Sequence, residues 1–484
     1  MIGAPHPRVL AAALRRAGWF PDGANLAVAS PDALLEADLS ADPLTRLFEV
    51  GRPVGRDEIE AAWGRQACRD AIEAGLLSAD GDTLRAERRL VRHTGENVPA
   101  VWVLADHDLD TRSGPIGAAH VSAVTAAAVT LGRLVDRTRS GSFLDLGCGS
   151  GIQVLWASGH AARIVATDVA ERALELTRYN AALNGVDVDV RGGSLFEPVA
   201  GESFDTIVSN APFVITPPAA GDRLVYRDSG YVLDAFAREL VEGACAHLAS
   251  GGRAYLLINW LIGEGETTTC APERWLEGRG VDAWVVARDR MSPAAYATHW
   301  VRDAGMVGEE ARERAREWAG WLHAEGVKAV AMGFVAIAKR PGGGIVRAES
   351  SYAGQPLPDG AHVEQVLDGI RQLAELGDDL ADAAFDKRVR LVETRVYPSG
   401  GGEPTRVTLV PADPADACLG QRDVSGEAAG VIGACDGELT LGQLADAVAT
   451  LTGSDPRVVL DDASEVAADL LARGMLKVDS AARR

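Results

Sequence analysis

Short apolar runs alternate with amphipathic segments through the middle of the chain, from about residue 96 to about residue 341. A short apolar run between turn residues predicts a buried strand, whereas apolar residues spaced by three and four predict a helix. Their alternation predicts an α/β fold with a doubly wound, mostly parallel, seven-stranded Rossmann-like sheet. The predicted strands are 142–147, 163–168, 188–193, 204–210, 252–260, 281–289 and 329–340, with a helix at 170–185 and a helical insertion at 292–325.

The two flanking regions have different patterns. Within residues 1–95, the stretch 56–93 predicts a helix, a turn, a second helix and two short strands around Asp-Gly-Asp, which resembles a winged helix. Residues 342–484 are less periodic and predict a small α+β accessory domain that weakly resembles a winged helix. We therefore expect three domains, 1–95, 96–341 and 342–484, with the catalytic chemistry in the second.

Composition narrows the class of protein. Hydrophobic residues make up 47% of the chain and charged residues 24%, as in ordinary globular proteins. The apolar patch near the N-terminus is interrupted by Arg15 and Arg16 and lacks the order of a signal peptide, so we expect a cytoplasmic protein without membrane association. The six cysteines and nine histidines are scattered, and a metal site is not expected.

The chain is strongly acidic, with a formal net charge of −21. Proteins bind nucleic acids largely by neutralising phosphates with Lys and Arg, so this charge opposes the approach of DNA or RNA. On this basis a protein, a peptide or a small molecule is the expected partner, and nucleic acid is disfavoured.

Candidate ligand-binding residues follow the first two strands of the predicted sheet. Asp145 lies near the end of the first strand and is followed by Gly147, Gly149 and Gly151. Glycines at the carboxyl end of a strand let the backbone approach a ligand closely. Asp168 ends the second strand, where a carboxylate can accept hydrogen bonds from both ribose hydroxyls. These features fit either a dinucleotide or an adenosyl ligand.

The glycine spacing favours the adenosyl ligand. A dinucleotide site typically has G-x-G-x-x-G, whereas this chain has G-x-G-x-G. The carboxylate of Asp145 would also repel a phosphate. S-adenosylmethionine carries a sulfonium and an ammonium but no phosphate, so it is the expected cofactor, with S-adenosylhomocysteine as its product.

The segments "FLDLGCGSG", "IVATD" and "GSLFEPVAGESFDTIVSNAPF" together resemble class I S-adenosylmethionine-dependent methyltransferases. The resemblance is to the branch with N-P-P-[YF] after strand four, which includes release-factor glutamine N5-methyltransferases and N-methyltransferases of RNA and DNA bases. It covers about residues 140–260. It places Gly147, Gly149 and Gly151 along the methionine and ribose portions, Asp168 at the ribose, and Ser194 and Leu195 near the adenine; Asp145, Cys148, Val169 and Asn210 complete the expected cofactor site.

The resemblance implies that Asn210, Ala211, Pro212 and Phe213 form the catalytic turn. An amide or aromatic amine is a poor nucleophile because its lone pair is delocalised. The side-chain oxygen of Asn210 and the backbone carbonyl of residue 211 are acceptors for its two N–H groups, which favours a more nucleophilic nitrogen. Pro212 stiffens the turn, and Phe213 is placed to stack on a planar substrate group.

Two positions depart from the family pattern. Ser194 replaces the usual acid near the adenine, so the hydrogen bond there lacks charge assistance. Ala211 replaces the first proline, which leaves the carbonyl in place but removes the fixed backbone angle.

The expected function is therefore N-methylation of an amide or amino nitrogen in a protein, a peptide or a related metabolite. Two alternatives stay open, namely an RNA or DNA base N-methyltransferase and a cofactor-binding scaffold without turnover. The substrate, and which sulfonium carbon is transferred, do not follow from the sequence.

Overall fold

The computed structural model describes residues 2–22, 33, 36–38, 41–95, 97–108, 117, 119–210, 212–218, 228, 230–340, 344–351, 355–400, 402 and 404–479. The helices in these ranges are α1 Pro7–Arg16, α2 Pro43–Phe48, α3 Arg56–Trp63, α4 Arg65–Glu73, α5 Ala126–Leu134, α6 Ile152–Ala157, α7 Glu171–Asn184, α8 Ala235–His247, α9 Cys270–Leu276, α10 Pro293–Asp303, α11 Gly308–Ala324, α12 Gly360–Leu376, α13 Gly426–Ala434, α14 Leu441–Thr452 and α15 Pro456–Ala472.

The strands are β1 Val54–Gly55, β2 Leu77–Asp80, β3 Thr83–Ala86, β4 Arg89–His93, β5 Val101–Ala105, β6 Ser140–Leu146, β7 Ala161–Asp168, β8 Asp189–Gly192, β9 Phe204–Ser209, β10 Leu248–Ile262, β11 Val281–Met291, β12 Ala329–Lys339, β13 Val346–Ser350, β14 Phe385–Lys387, β15 Leu391–Val396, β16 Arg406–Pro411, β17 Arg422–Val424 and β18 Leu476–Val478. Short 3-10 helices span Glu197–Val199, Asp379–Asp382 and Pro414–Leu419.

The first of two compact units comprises Met1–Gly132, Arg137–Trp275 and Asp289–Phe334. Its sheet has the strand order β12-β10-β9-β6-β7-β8, and the neighbours from β10 to β8 run parallel. The chain leaves β6 towards β7 on one side and later adds β9 on the other. Ligands of such sheets bind beyond the carboxyl ends of the strands at this switch point.

The N-terminal elements pack against helix α7 of the same unit. The Tyr179 hydroxyl donates to the Pro5 carbonyl at 2.7 Å. Asn180 and Asn184, one helical turn apart, each exchange hydrogen bonds with the backbone of strand β5, at Leu104 and Trp102. These two side-chain amides supply the hydrogen bonds that a neighbouring strand would otherwise make with the edge of β5.

The predicted helical insertion contains helices α10 and α11. Ser292 caps α10 by accepting a hydrogen bond from the Ala295 amide, and Pro293 occupies the first turn, where its missing N–H costs nothing. One face of α11 is buried at the spacing expected of an amphipathic helix. Its residues are Ala311, Ala315, Trp318, Ala319 and Leu322. We call residues 292–324 the α10–α11 hairpin.

The second compact unit comprises Arg133–Asp136, Leu276–Arg288 and Val335–Arg484. In it β13 pairs in parallel with β11, β14 pairs with β18, and β15, β16 and β17 form a three-stranded antiparallel sheet. The sequence did not predict β13. The domain boundaries at residues 95 and 341 stay predictions. No helix in the described ranges is long and apolar enough to cross a membrane.

Candidate active site

The glycine-rich loop after β6 is held by the neighbouring strand. The amides of Gly147 and Cys148 both donate to the Thr167 carbonyl, at 2.9 and 3.0 Å. Gly149 and Gly151 have positive φ angles of 54° and 81°, which favour glycine. A Cβ at Gly149 would meet no atom within 4 Å, so the backbone faces open space there. The loop therefore leaves room for a ligand beside Gly149.

Asp168 closes the other side of this loop. One of its carboxylate oxygens accepts the Gly149 amide at 3.0 Å, and the other accepts the Ala170 amide at 2.9 Å. Burial raises the pKa of Asp168, while these backbone donors act in the opposite direction. Each carboxylate oxygen has two lone pairs, so both retain capacity for a ribose hydroxyl. Val169 follows with its apolar side chain 61% exposed, a surface that a bound adenine would cover.

Asp145 is a buried carboxyl beside the loop. It is 1% exposed, and its Oδ2 atom is without a hydrogen-bond partner within the described part of the chain. Burial, and then the negative charge of Asp168, raise the pKa of Asp145 to about 8. A buried carboxyl in this state gains a counter-ion when a cationic group binds next to it. The ammonium of a methionine moiety has that chemistry.

The remaining predicted cofactor residues lie on the same edge. The Cys148 thiol is buried and accepts a hydrogen bond from the Thr177 hydroxyl at 3.2 Å, and burial raises the pKa of that thiol. Ser194 and Leu195 are half-buried, and Leu195 has a positive φ of 45°. The structure thus brings the glycine loop and Asp168 together. The fit to S-adenosylmethionine rests on the Asp145 oxygen, which has no partner among the described residues, and on the open backbone at Gly149.

Asn210 follows directly after β9. The register pairs Leu146 of β6 with Ser209 of β9, and the Ser209 hydroxyl donates to the Leu146 carbonyl at 2.8 Å. Asn210 therefore begins its turn beside Gly147. Its Oδ1 atom is buried and, among the residues that the structure describes, accepts no hydrogen bond. A buried amide oxygen without a donor costs free energy, about 1–3 kcal/mol, unless a ligand supplies one. Ala211 lies outside the described residues.

Phe213 is the last residue of this turn. Pro212 and Phe213 are half-buried, and the Phe213 ring contacts Trp300 of the α10–α11 hairpin edge to face, with ring centroids 6.3 Å apart. Trp300 is itself half-buried. Two aromatic rings therefore lie in contact at this turn, and the sequence pattern had indicated only Phe213.

Three further residues fix the turn, and sequence reasoning missed all three. The Tyr296 hydroxyl accepts hydrogen bonds from the Ile215 amide and from the Asn259 side chain, both at 3.0 Å. The Trp318 indole donates to the Ile215 carbonyl at 3.0 Å. Asn259 lies in strand β10 and is 2% exposed. A buried asparagine within an apolar strand was the available signal, since such a group needs a partner.

Comparison with known proteins identifies the central region. Residues 121–267 match the model of the methyltransferase small domain. This stretch of the chain is therefore similar to the methyltransferase small domain. The match lies inside the predicted catalytic range 96–341, and it agrees with the class I resemblance. The N-P-P-[YF] sequence itself is absent, because the chain has Asn-Ala-Pro-Phe at 210–213.

Curated relatives of this domain act on RNA according to their names. Ribosomal RNA small subunit methyltransferase C of Escherichia coli O1:K1 / APEC is 35% identical over 131 residues, which are 27% of this chain and 34% of that protein. The protein of the same name from Enterobacter sp. (strain 638) is 33% identical over 121 residues, 25% of this chain and 31% of its own. The chain spans about a third of the length of these relatives.

Among solved structures, the ribosomal protein L11 methylase from Lactobacillus delbrueckii subsp. bulgaricus is 18% identical to this chain. The match covers 44% of this chain and 76% of the methylase, with a TM-score of 0.24.

The inference against a nucleic-acid partner was wrong, because the named relatives are ribosomal RNA methyltransferases. Net charge is a property of the whole chain, and its field is screened within about 10 Å at 0.1 M salt. Whether a surface accepts RNA depends on the groups within that distance, so the total of −21 does not decide it.

Proposed function

We propose that this chain is an S-adenosylmethionine-dependent methyltransferase whose substrate is a base nitrogen of RNA, with ribosomal RNA as the first class to test. The kinship with ribosomal RNA methyltransferases supports the class of substrate. The single observation that carries the chemistry is the buried Asn210 oxygen, which has no donor among the described residues and lies next to the glycine loop through the β6–β9 register.

Asn210 is proposed to hold the reacting nitrogen. Its side-chain oxygen would accept one N–H of the target base, and the backbone carbonyl of residue 211 would accept the second. When bound, S-adenosylmethionine supplies an electrophilic methyl group and leaves as S-adenosylhomocysteine. Fixing the nitrogen by two acceptors directs its lone pair at that carbon, and most of the rate gain comes from this positioning. The proton released from nitrogen passes to solvent.

Phe213 is proposed to hold the plane of the base. Stacking of a base on an aromatic ring is worth about 1–3 kcal/mol. The edge-to-face contact with Trp300 restricts the rotation of the Phe213 ring, so the stacking surface is fixed before substrate arrives. An enzyme acting on one base must take it out of its stack, and a preformed aromatic surface offsets part of that cost.

The proposed cofactor contacts are based on the two acids, Asp145 and Asp168. Asp168 would hold the ribose, while Asp145 would face the ammonium of the methionine portion. Val169, Ser194 and Leu195 would surround the adenine, and the glycines at 147, 149 and 151 would let the backbone approach. The Ser194 hydroxyl replaces a charged acceptor, so weaker adenine binding is expected.

The test is methyl transfer from tritiated S-adenosylmethionine by the full chain. The acceptors are small-subunit ribosomal RNA, DNA of the same sequence and total protein from the same cells. We expect label in RNA, and nuclease digestion followed by mass spectrometry should place it on a base nitrogen. Asn210→Ala should lower kcat at least 100-fold and change the Kd of S-adenosylmethionine less than threefold. Asn210→Asp keeps an acceptor oxygen and should retain more turnover than Asn210→Ala.

Three outcomes would contradict the proposal. Label confined to protein would exclude RNA as the substrate class. Cofactor binding without label in any fraction would indicate a scaffold without turnover. Full activity of Asn210→Ala would show that its oxygen does not hold the nucleophile.

A further inference from the structure

Both backbone polar groups of Ile215 are bound by side chains from the α10–α11 hairpin. The Tyr296 hydroxyl accepts a hydrogen bond from the Ile215 amide, and the Trp318 indole donates one to the Ile215 carbonyl. These partners lie 81 and 103 positions further along the chain. Ile215 is 3% exposed, so water does not compete for either group. Buried backbone groups of a loop lack the regular hydrogen bonds of a helix or a sheet, so side chains have to supply their partners.

The hydroxyl of Tyr296 is fixed in turn by strand β10. The Asn259 side-chain amide donates to it at 3.0 Å, and Tyr296 and Asn259 are 0% and 2% exposed. The Tyr296 oxygen thus accepts two hydrogen bonds, which uses both lone pairs. Its position is set by a strand of the central sheet rather than by the hairpin alone. Loss of this oxygen would leave two buried donors without an acceptor.

The catalytic turn lies between two such anchors. At its start, Ser209 is tied to the Leu146 carbonyl of β6, and at its end Ile215 is tied to the hairpin. Residues 210–214 are all that lies between them, and Pro212 restricts the backbone within this segment. Val214 is 1% exposed and packs in the same cluster as Tyr296 and Trp318. The direction of the Asn210 oxygen therefore depends on Tyr296 through the far anchor.

We propose that Tyr296 is a positioning residue, and that the α10–α11 hairpin is the part of the chain that aims the Asn210–Phe213 turn at the substrate. This inference rests on the proposed function. It also offers a reason why Ala211 is accepted here, since external anchors supply the rigidity that a second proline would otherwise give. Contacts of this kind hold the groups of an active site in place, and a displacement of about 1 Å is enough to lower the rate.

The experiment compares Tyr296→Phe with a matched variant, Tyr179→Phe. The Tyr179→Phe substitution also removes a hydroxyl that bonds to a backbone group, the Pro5 carbonyl. Tyr179 lies on α7 and does not contact the turn through this bond. We measure amide hydrogen exchange at Ile215, kcat on RNA, and the Kd of S-adenosylmethionine for each purified full chain. In Tyr296→Phe, exchange at Ile215 should be at least tenfold faster and kcat about tenfold lower, with Kd within twofold of wild type.

Tyr179→Phe should leave exchange at Ile215 and kcat unchanged. Asn259→Ala should lower kcat in the same direction as Tyr296→Phe, and the double variant should be no worse than the more impaired single one, because both act through one oxygen. Unchanged kcat in a folded Tyr296→Phe chain, or an equal loss in Tyr179→Phe, would overturn the inference.

Failure of the proposed function is recognised separately. If the wild-type chain transfers no methyl group to RNA, the proposed function fails, and exchange at Ile215 then decides the structural half of the inference. Exchange at wild-type rates in Tyr296→Phe would show that the hydroxyl does not hold the turn.

Discussion

The two halves of the site are built in different ways. On the cofactor side, the glycine loop is held by Thr167 and Asp168, which lie on the next strand of the sheet. On the substrate side, the turn after β9 is held by Tyr296 and Trp318, which come from a distant helical hairpin. One half uses contacts from the adjacent strand, namely the Thr167 carbonyl and the Asp168 carboxylate, and the other uses side chains from residues far along the chain.

We expect the strand contacts of the glycine loop to be common among related proteins, and the hairpin contacts of the turn to be particular to this chain. Contacts between neighbouring strands survive almost any change in the flanking elements, so a cofactor edge is retained while substrates change. A turn held by an insertion changes whenever the insertion changes. The α10–α11 hairpin is therefore the place where substrate choice is expected to be set.

The largest effect is expected from breaking the cofactor side. Asp168→Ala removes the acceptor of the Gly149 and Ala170 amides together with the proposed ribose contact. Hydrogen bonds to a charged group are worth about 1.5–3 kcal/mol each, and Asp168 is proposed to hold two ribose hydroxyls, so a loss of about 3–6 kcal/mol should raise the Kd of S-adenosylmethionine at least 100-fold by calorimetry. Asp189→Ala removes the same charge at the start of β8, where the carboxylate is 52% exposed, and should leave Kd unchanged. Equal affinities of the two variants would place the cofactor elsewhere.

The next largest effect concerns pH. The pKa of Asp145 is raised from 3.8 to about 8, so its contribution to stability is present below pH 3.8 and is lost as pH rises towards 8. Binding of a cation requires the ionised form. The affinity for S-adenosylmethionine should therefore rise by up to tenfold per pH unit from pH 6, reach a maximum near pH 8, and fall above it as the ligand ammonium loses its proton.

Asp145→Asn provides the control for this pH dependence. The variant cannot ionise at position 145, so any slope that remains belongs to the amino group of the ligand, whose pKa is about 8. A wild-type slope no steeper than that of the variant would mean that Asp145 does not face the ammonium.

The smallest effect is expected from trimming the substrate side. Trp318→Phe keeps the ring in its cluster but removes the donor to the Ile215 carbonyl. A net loss of about 1 kcal/mol corresponds to a roughly fivefold lower kcat on RNA, with the Kd of S-adenosylmethionine unchanged. Trp321→Phe, on the same helix and against the same cluster, serves as the comparison and should change kcat less. A drop in cofactor affinity with Trp318→Phe would show that the two halves are not independent.

Sequence reasoning succeeded where the cause of structure is local. The strand predicted at 204–210 is observed at Phe204–Ser209, and the helix predicted at 170–185 at Glu171–Asn184. Strand β13 was missed because "VRAES" is polar and half-buried, so its position depends on pairing with β11.

The anchors of the catalytic turn lay beyond sequence reasoning for a physical reason. Which face of an inserted helix meets which loop depends on tertiary packing, and no periodicity encodes that Tyr296 reaches Ile215. The error about nucleic acid had another origin, since a total charge was used where only the local surface counts. Periodicity and motif spacing therefore predicted the scaffold, the cofactor residues stay a prediction, and the contacts of the Asn210–Phe213 turn required coordinates.

The distance between Ile215 and its anchors has a consequence for biosynthesis. A chain leaving the ribosome can close its glycine loop once residue 168 has emerged, but it cannot fix the Ile215 backbone until Trp318 follows, 103 positions after Ile215. If the proposed function holds, the alignment of the turn is completed only when the hairpin has been synthesised. A translation product that ends before the hairpin should then lack both side-chain contacts to Ile215.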